Sequence, residues 1–165
     1  MDWKAKFHAP GDKTAGHIKR GLGLSIHTWG GRGHDSQCRV IVQPDGSVAV
    51  EIASQDLGVG NRTVIGIVAA ETLGLPLAAV DVRLGDSKYP PSGASGGSTT
   101  VGGVSSSTRR AATHALDKLK EVVAPGLETT ADQLEAKGGY LQVKGDSSKR
   151  LSWSDACRKL GTTTI

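Results

Sequence analysis

The chain has 165 residues, of which 37% are hydrophobic and 22% charged, and this composition excludes an intrinsically disordered protein. Its net charge of +4 suits an anionic ligand such as phosphate, but basic residues do not alternate with aromatic ones, so nucleic acid is not a predicted partner. No apolar run approaches the roughly 20 residues of a membrane-spanning helix, and the amino-terminal segment lacks a signal-peptide core, so no membrane partner is predicted.

The first half of the chain shows two strand patterns and one helix pattern. Residues 1–18 are expected to form an irregular lead-in, and the alternation in GLGLSIHTWGG at 21–31 predicts a strand. Alternating valines on either side of the turn Pro-Asp-Gly predict a β-hairpin within residues 37–54. Residues 62–74 are apolar almost all round, which predicts a buried helix ending at Gly74.

A further strand and a long helix follow. Apolar and polar residues alternate at 80–86, so strand, helix and strand occur in an order that favours a split β-α-β unit. The next helix carries an apolar stripe that extends back to Thr99, where we expect the helix to begin. Gly102 and Gly103 lie inside it at a cost of about 1 kcal/mol each relative to alanine, which a close packing neighbour would explain.

The carboxyl-terminal third predicts smaller elements. Residues 129–137 are expected to form a short helix capped by Thr130. The segments GGYLQVKGD and KRLSW predict a hairpin, and WSDACRKLG predicts a final short helix capped by Ser152 or Ser154. The whole pattern predicts an α+β fold in which helices pack on one face of a mixed sheet.

Two glycine-rich loops lie directly before the two long helices: DLGVGNRT at 56–63 and SGASGGSTT at 92–100. A helix amino terminus exposes unpaired N–H groups and carries a partial positive charge. Glycine lets an anion approach these groups, and Ser and Thr hydroxyls add donors. Both loops therefore suit phosphate, although the same residues would also serve simply as helix caps.

Other chemistry has weaker support. Neither loop matches the P-loop pattern GxxxxGK[ST], and the sequence has no GxSxG motif and no Cys-x-x-Cys pair. The five histidines form no closely spaced ligand pair, so no metal bound by protein side chains is predicted. Asp56 and Asp86 are expected to cap turns rather than to act as paired carboxylates.

The order of these segments resembles the second molybdopterin-binding region of the large subunit in hydroxylases of the xanthine dehydrogenase and aldehyde oxidase family. The resemblance spans about residues 19–160 and is carried by RGLGLSIHTWGG, VIVQPDGSVAVEIASQDLGVGNRT, IVAAETLGLPLAAVDVRLGDSKYPPSGASGGSTT, RRAATHAL and the tail GGYLQVKGD…LSWSDACRKLG. It implies that residues 19–165 are part of a larger molybdopterin-binding domain and that the chain is a fragment.

The resemblance implies a molybdenum hydroxylase that oxidises aldehydes or N-heterocycles with oxygen from water. The implied cofactor is molybdopterin as its cytosine dinucleotide, which this chain would cradle without turning over substrate alone. The implied partners are the remainder of the molybdenum subunit and iron–sulfur and FAD subunits or domains. The implied location is the cytoplasm, with the periplasm as the alternative.

The resemblance also implies a set of site residues. The family's Gly-x-Gly-x-x-Thr loop and its Ser/Gly/Thr loop give as cofactor-binding residues Gly58, Val59, Gly60, Asn61, Thr63, Ser95, Gly96, Gly97, Ser98, Thr99 and Thr100. Val59 stands where many relatives have a glutamine near the molybdenum ligands, and valine donates no hydrogen bond from its side chain. The family's catalytic glutamate has no counterpart in this sequence, so no catalytic residue is assigned.

A different class of function fits the same loops. A non-enzymatic α+β module could bind partner chains through a sheet edge, with both loops only capping helices. Such a module would tolerate Gly60→Ala and Gly97→Ala without losing a ligand. A small phosphate-ester or nucleotide-binding enzyme would need a base or metal ligand beside the loops, and the sequence indicates neither.

Overall fold

A computed structural model describes residues 2–7, 11, 16–19 and 21–165, in two compact units of residues 1–30 and 31–165. The described part of the first unit contains one short helix, α1 (Trp3–Lys6), within the predicted lead-in at 1–18. The rest of that lead-in lies largely outside the described residues.

The strand predicted at residues 21–31 is wrong. This segment is irregular, and Leu24 and Ile26 are 75% and 85% exposed. A strand exists only through hydrogen bonds to a neighbouring strand, and no strand in the described part of the chain pairs with this segment.

The first sheet of the larger unit has three strands and is mixed. Strand β1 (Arg39–Val42) and strand β2 (Val48–Ile52) form the predicted antiparallel hairpin, and β2 pairs in parallel with β3 (Val80–Leu84). The α+β class with a mixed sheet is confirmed. The β-α-β unit differs from the split form, because its two strands are direct neighbours with no strand between them.

Two long helices cover one face of this sheet. Helix α2 (Asn61–Leu73) connects β2 to β3, and helix α3 (Thr100–Val123) begins where the apolar stripe predicts. Their apolar residues join the same face of the strands in one core, and each fully buried Val, Ile or Leu contributes roughly 1.5–3 kcal/mol. Among the described residues, no helix has both the length and the apolar character needed to cross a bilayer.

Helix α2 ends at Gly74, as predicted. Gly74 has a φ of +67°, and its N–H donates to carbonyl groups of the last helical turn. Its own carbonyl accepts a 2.8 Å hydrogen bond from the Gly139 N–H, and a Cβ at Gly74 would lie 2.5 Å from the carbonyl carbon of Ala136. The carboxyl end of α2 is therefore fixed directly to the backbone of the second sheet.

The second sheet has three antiparallel strands, β4 (Leu134–Lys137), β5 (Tyr140–Val143) and β6 (Asp146–Ser152), and is followed by helix α4 (Trp153–Arg158). The predicted hairpin and final helix are confirmed, with Ser152 as the cap. The predicted helix at 129–137 is wrong, because it holds a single 3₁₀ turn at Ala131–Gln133 followed by β4. A segment this short has little helical stability, so pairing with β5 decides its structure.

A close backbone contact explains the glycines inside α3. A Cβ at Gly103 would lie 2.4 Å from Nδ1 and 2.5 Å from the carbonyl oxygen of His34. A Cβ at Gly33 would lie 2.7 Å from the backbone of Gly102 and Gly103. The predicted packing neighbour is therefore the segment around His34, whose N–H also donates to the Thr99 carbonyl at 3.2 Å.

This contact predicts the effect of a substitution at Gly103. In an open helix Gly→Ala stabilises by about 1 kcal/mol, but here the new methyl group meets the backbone of His34. Overpacking costs about 1–3 kcal/mol, and the 2.5 Å approach to a backbone oxygen puts this site at the upper end of that range. After subtraction of the helix gain, we expect Gly103→Ala to lower the free energy of unfolding by about 1–2 kcal/mol. Urea unfolding followed by circular dichroism measures this, with the exposed position Ser106→Ala as the control. A Gly103→Ala protein as stable as the control would contradict the predicted contact.

Candidate functional site

The two glycine-rich loops lie at one edge of the first sheet. Loop A (residues 53–60) joins β2 to α2, and loop B (residues 85–99) joins β3 to α3. Because β2 and β3 are parallel neighbours, their carboxyl ends meet at the same edge, where ligands bind in open sheets of this kind. The N–H of Ser95 donates to Oε1 of Gln55 at 3.1 Å, and the Ser95 hydroxyl donates to the Gln55 carbonyl at 3.2 Å. The two predicted loops are therefore in direct contact.

A cavity of about 440 Å³ lies between the two loops. It is lined by Leu57, Val59, Ser95, Gly96, Gly97, Ser98, Thr100 and Val101. Loop A contributes the apolar side chains of Leu57 and Val59, which are 70% and 59% exposed, and Val101 in the first turn of α3 adds a third apolar side chain to the lining. The loop B side presents backbone groups and hydroxyls, so the cavity has one apolar and one polar wall.

Loop A folds around the carboxylate of Asp56. Oδ1 accepts hydrogen bonds from the Gly58 and Gly60 N–H groups at 3.0 and 3.1 Å, and Oδ2 accepts one from the Arg62 N–H at 3.1 Å. The bond from Arg62 is the main reason that the pKa of Asp56 is held below its ordinary value of 3.8. The loop A donors expected to bind phosphate are thus already bonded to a carboxylate of the chain itself.

The expectation that Asp56 and Asp86 cap turns is confirmed. Asp86 accepts a 2.8 Å hydrogen bond from the Lys88 N–H at the start of loop B. The side chain of Arg62 donates to the Val82 carbonyl. The two carboxylates thus accept hydrogen bonds from the local backbone, each in its own loop.

The amino end of α3 is arranged differently. The Thr99 hydroxyl donates to the Gly96 carbonyl at 2.9 Å and does not cap the helix. Within the described part of the chain, no acceptor bonds to the N–H groups of Thr100, Val101 and Gly102. A helix start without a cap leaves a concentrated set of donors with partial positive charge.

Loop B reaches this helix through a left-handed turn. Gly97 has a φ of +57° and Ser98 a φ of +60°. Serine rarely adopts this conformation, so the turn at Ser98 is strained. A Cβ at Gly96 would meet no atom within 4 Å, so the backbone of Gly96 faces open space.

Five of the eleven predicted site residues do not line the cavity. Asn61 is fully buried, and its Nδ2 donates to the Gln55 carbonyl at 2.7 Å. Of the described residues, those that line the cavity do not include Gly58, Gly60, Asn61, Thr63 or Thr99, and Thr63 is exposed elsewhere on the surface. Asn61 and Thr99 instead hold the shape of the two loops through their side-chain hydrogen bonds.

Sequence reasoning missed Gln55, Leu57 and Val101. Gln55 lies between a buried strand end and the glycine motif, and no local pattern indicates that its side chain crosses to a loop forty positions away. Leu57 precedes the Gly-x-Gly motif and Val101 follows the Ser/Gly/Thr motif. Their apolar side chains stand out in these polar, glycine-rich segments, and this contrast could have indicated that they line the cavity.

A larger cavity lies farther along α3 and includes neither loop. Its volume is about 850 Å³, and Arg109, Arg110 and His114 lie in its wall. Cys38 also lines it, and burial raises the pKa of this thiol to about 11, so the thiol is protonated and unreactive at neutral pH. The smaller cavity between the loops therefore remains the candidate site.

Comparison with known proteins gives consistent matches. The family described as the molybdopterin cofactor-binding domain matches residues 1–164. The chain is 33% identical over 162 residues to the aldehyde oxidoreductase molybdenum-binding subunit PaoC of Escherichia coli K12, covering 96% of this chain and 21% of PaoC. It is 28% identical over 128 residues to the carbon monoxide dehydrogenase large chain of Hydrogenophaga pseudoflava, covering 76% of this chain and 16% of the relative.

Solved structures share the fold. Quinoline 2-oxidoreductase from Pseudomonas putida 86 superposes with a TM-score of 0.71 at 22% identity, over 80% of this chain and 18% of that chain. CO dehydrogenase from Oligotropha carboxidovorans superposes with a TM-score of 0.67 at 23% identity, over 76% of this chain and 16% of that chain. The chain spans about a fifth of the length of the curated relatives it matches.

The three hydrogen bonds to Asp56 predict a pH-dependent contribution to stability. Because the folded-state pKa lies below 3.8, this stabilisation is present above that value and is lost as the pH falls through the folded-state pKa. We expect Asp56→Asn to lower the thermal midpoint at pH 7 and the difference from wild type to vanish under acid conditions. Thermal unfolding between pH 7 and pH 2 measures this, with the exposed residue Asp117→Asn as the control. A midpoint difference independent of pH would contradict the prediction.

Proposed function

Because this chain belongs to the molybdopterin cofactor-binding domain family, we propose that it forms one side of the cofactor pocket in a molybdenum hydroxylase. Membership of the family confirms the resemblance identified from the sequence. The homologues are molybdenum oxidoreductases, among them aldehyde oxidoreductase and CO dehydrogenase. For the whole protein we propose oxidative hydroxylation of an aldehyde or N-heterocycle, of the xanthine dehydrogenase and aldehyde oxidase type, with oxygen from water.

The contrast between the two loops carries this proposal. The amino end of α3 offers the N–H groups of Thr100, Val101 and Gly102, with no acceptor for them among the residues described. Beside them, the backbone at Gly96 is open, because a Cβ there would meet nothing within 4 Å. Unbonded helix-start donors next to an open glycine backbone fit a phosphate group.

The two loops would contact different parts of the cofactor. Ser95 to Thr100 would hold its phosphate, which in the proposed cytosine dinucleotide form is a pyrophosphate, against the amino end of α3. Leu57 and Val59 would face its uncharged part, while Gly58, Gly60 and Asn61 hold the path of loop A and Thr63 lies in the first turn of α2. When bound, the cofactor supplies the molybdenum, held by the sulfurs of the pterin, at which substrate is oxidised.

This chain would bind and orient the cofactor and exclude water from one wall. The remainder of the molybdenum subunit would supply the catalytic base and the opposite wall, so we propose that the chain alone is inactive. Iron–sulfur and FAD subunits or domains would accept the electrons, and the complex would work in the cytoplasm. This part of the proposal is supported by relatives that are named as subunits of oxidoreductases, which suggests that other subunits are present.

Cofactor analysis tests the proposed function. The protein is purified with the products of its neighbouring genes, and its molybdenum, pterin and cytidine contents are measured. We expect about one molybdenum, one pterin and one cytidine per copy of this chain. Molybdenum and pterin without cytidine would contradict only the dinucleotide form, whereas the absence of molybdenum and pterin would contradict the proposed function.

A substitution at Gly96 tests the position of the phosphate. Gly96→Ala places a methyl group in open space, so the fold should be kept. The same methyl group would occupy part of the space in which we place the phosphate. We expect cofactor retention to fall about tenfold, which corresponds to about 1.4 kcal/mol, with an unchanged unfolding midpoint. The matched control is Gly126→Ala, another glycine whose Cβ would meet nothing within 4 Å and which lies outside both loops. Full retention of the cofactor by Gly96→Ala would place the phosphate elsewhere.

A further inference from the structure

We propose that Asp56 is a built-in anion that closes loop A to phosphate and so confines the cofactor's phosphate to the amino end of α3. Asp56 is thereby a positioning residue, since it acts through the backbone of loop A. The proposal rests on the proposed function for the identity of the phosphate, but the hydrogen bonds that carry it belong to the chain alone.

The first step is the chemistry of the donors. The N–H groups of Gly58, Gly60 and Arg62 converge on the two oxygens of one carboxylate, at 3.0–3.1 Å. A glycine-rich loop that leads into a helix is the usual backbone cradle for a phosphate, and a carboxylate is chemically the same kind of acceptor. The Asp56 oxygens therefore stand where phosphate oxygens would otherwise be bound.

The second step is charge. The guanidinium of Arg62 donates to the Val82 carbonyl. No salt bridge is formed by Asp56 within the described part of the chain, so its charge is balanced by backbone N–H groups alone. A phosphate entering loop A would have to displace this carboxylate or lie beside it, and like charges repel at such distances.

The third step is the contrast with α3. Both loops are glycine-rich and both precede a long helix, yet the donors at Thr100, Val101 and Gly102 have no internal acceptor among the described residues. The Thr99 hydroxyl, which could have capped them, is bonded to the Gly96 carbonyl. At the start of α2 the Arg62 N–H is bonded to Asp56, whereas three consecutive N–H groups at the start of α3 have no acceptor among the described residues, so the α3 start is the more open position for an anion.

The same hydrogen bonds fix which part of a ligand each loop contacts. With its backbone drawn around Asp56, loop A places Leu57 and Val59 on the cavity wall, although both side chains are largely exposed. Loop A thus presents apolar side chains to the ligand in place of amide donors. The unliganded protein thus already has separate surfaces for the anionic and the uncharged parts of the cofactor.

The test is a titration of the full 165-residue chain with inorganic phosphate at constant ionic strength, followed by amide NMR. In wild type we expect the Thr100, Val101 and Gly102 signals to shift at least fivefold more than those of loop A. In Asp56→Ala the Gly58 and Gly60 signals should gain a phosphate response of the same size. Asp56→Asn removes the charge with almost no change of shape and should gain a smaller response of the same kind.

The control is Asp45→Asn, which alters another carboxylate that accepts a backbone N–H, in the turn between β1 and β2. It should leave both sets of signals as in wild type. Loop A signals that respond in wild type, or that stay silent in both Asp56 variants, would overturn the inference. Silent α3 signals together with responsive loop A signals in the variants would instead count against the proposed phosphate site and leave the role of Asp56 intact.

Discussion

Gln55 joins the two loops through its side chain and its carbonyl, in addition to the hydrogen bond from the Ala53 N–H to the Pro90 carbonyl, and the site depends on the hydrogen bonds that converge on Gln55. Its carbonyl accepts hydrogen bonds from the buried amide of Asn61 and from the Ser95 hydroxyl, and its side-chain oxygen accepts the Ser95 N–H. A residue at the end of a strand thus connects a helix start to a loop forty positions later. Because these contacts are made within the protein, the two walls of the cavity are set by the fold.

The sequence predicts the elements whose stability is local. The hairpin of β1 and β2 follows from a turn flanked by alternating valines, and the long helices follow from apolar periodicity and from Gly74. It also predicts the two loops, because glycine before a helix start has a direct physical meaning. Family membership then identifies the kind of ligand, and the individual residue assignments remain predictions.

What the sequence could not predict depends on distant neighbours. The alternation at residues 21–31 is typical of a strand, but a strand needs a partner that the described chain does not provide. Residues 134–137 pair with β5, which outweighs their local preference. The role of Asp56 depends on the path of loop A, so the similar composition of the two loops does not reveal that Asp56 accepts hydrogen bonds from the backbone at the start of α2, while the first N–H groups of α3 have no acceptor among the described residues.

Helix α2 links the cavity between the loops to the second sheet, whose strands do not line that cavity. Its thirteen residues make a rod about 20 Å long, with Gln55 and Asp56 at one end and the backbone of the second sheet at the other. The junction at Gly74 leaves no room for even one methyl group, so the rod cannot slide along its axis without moving that sheet. The position of β4 and β5 is thus coupled mechanically, through α2, to the position of loop A.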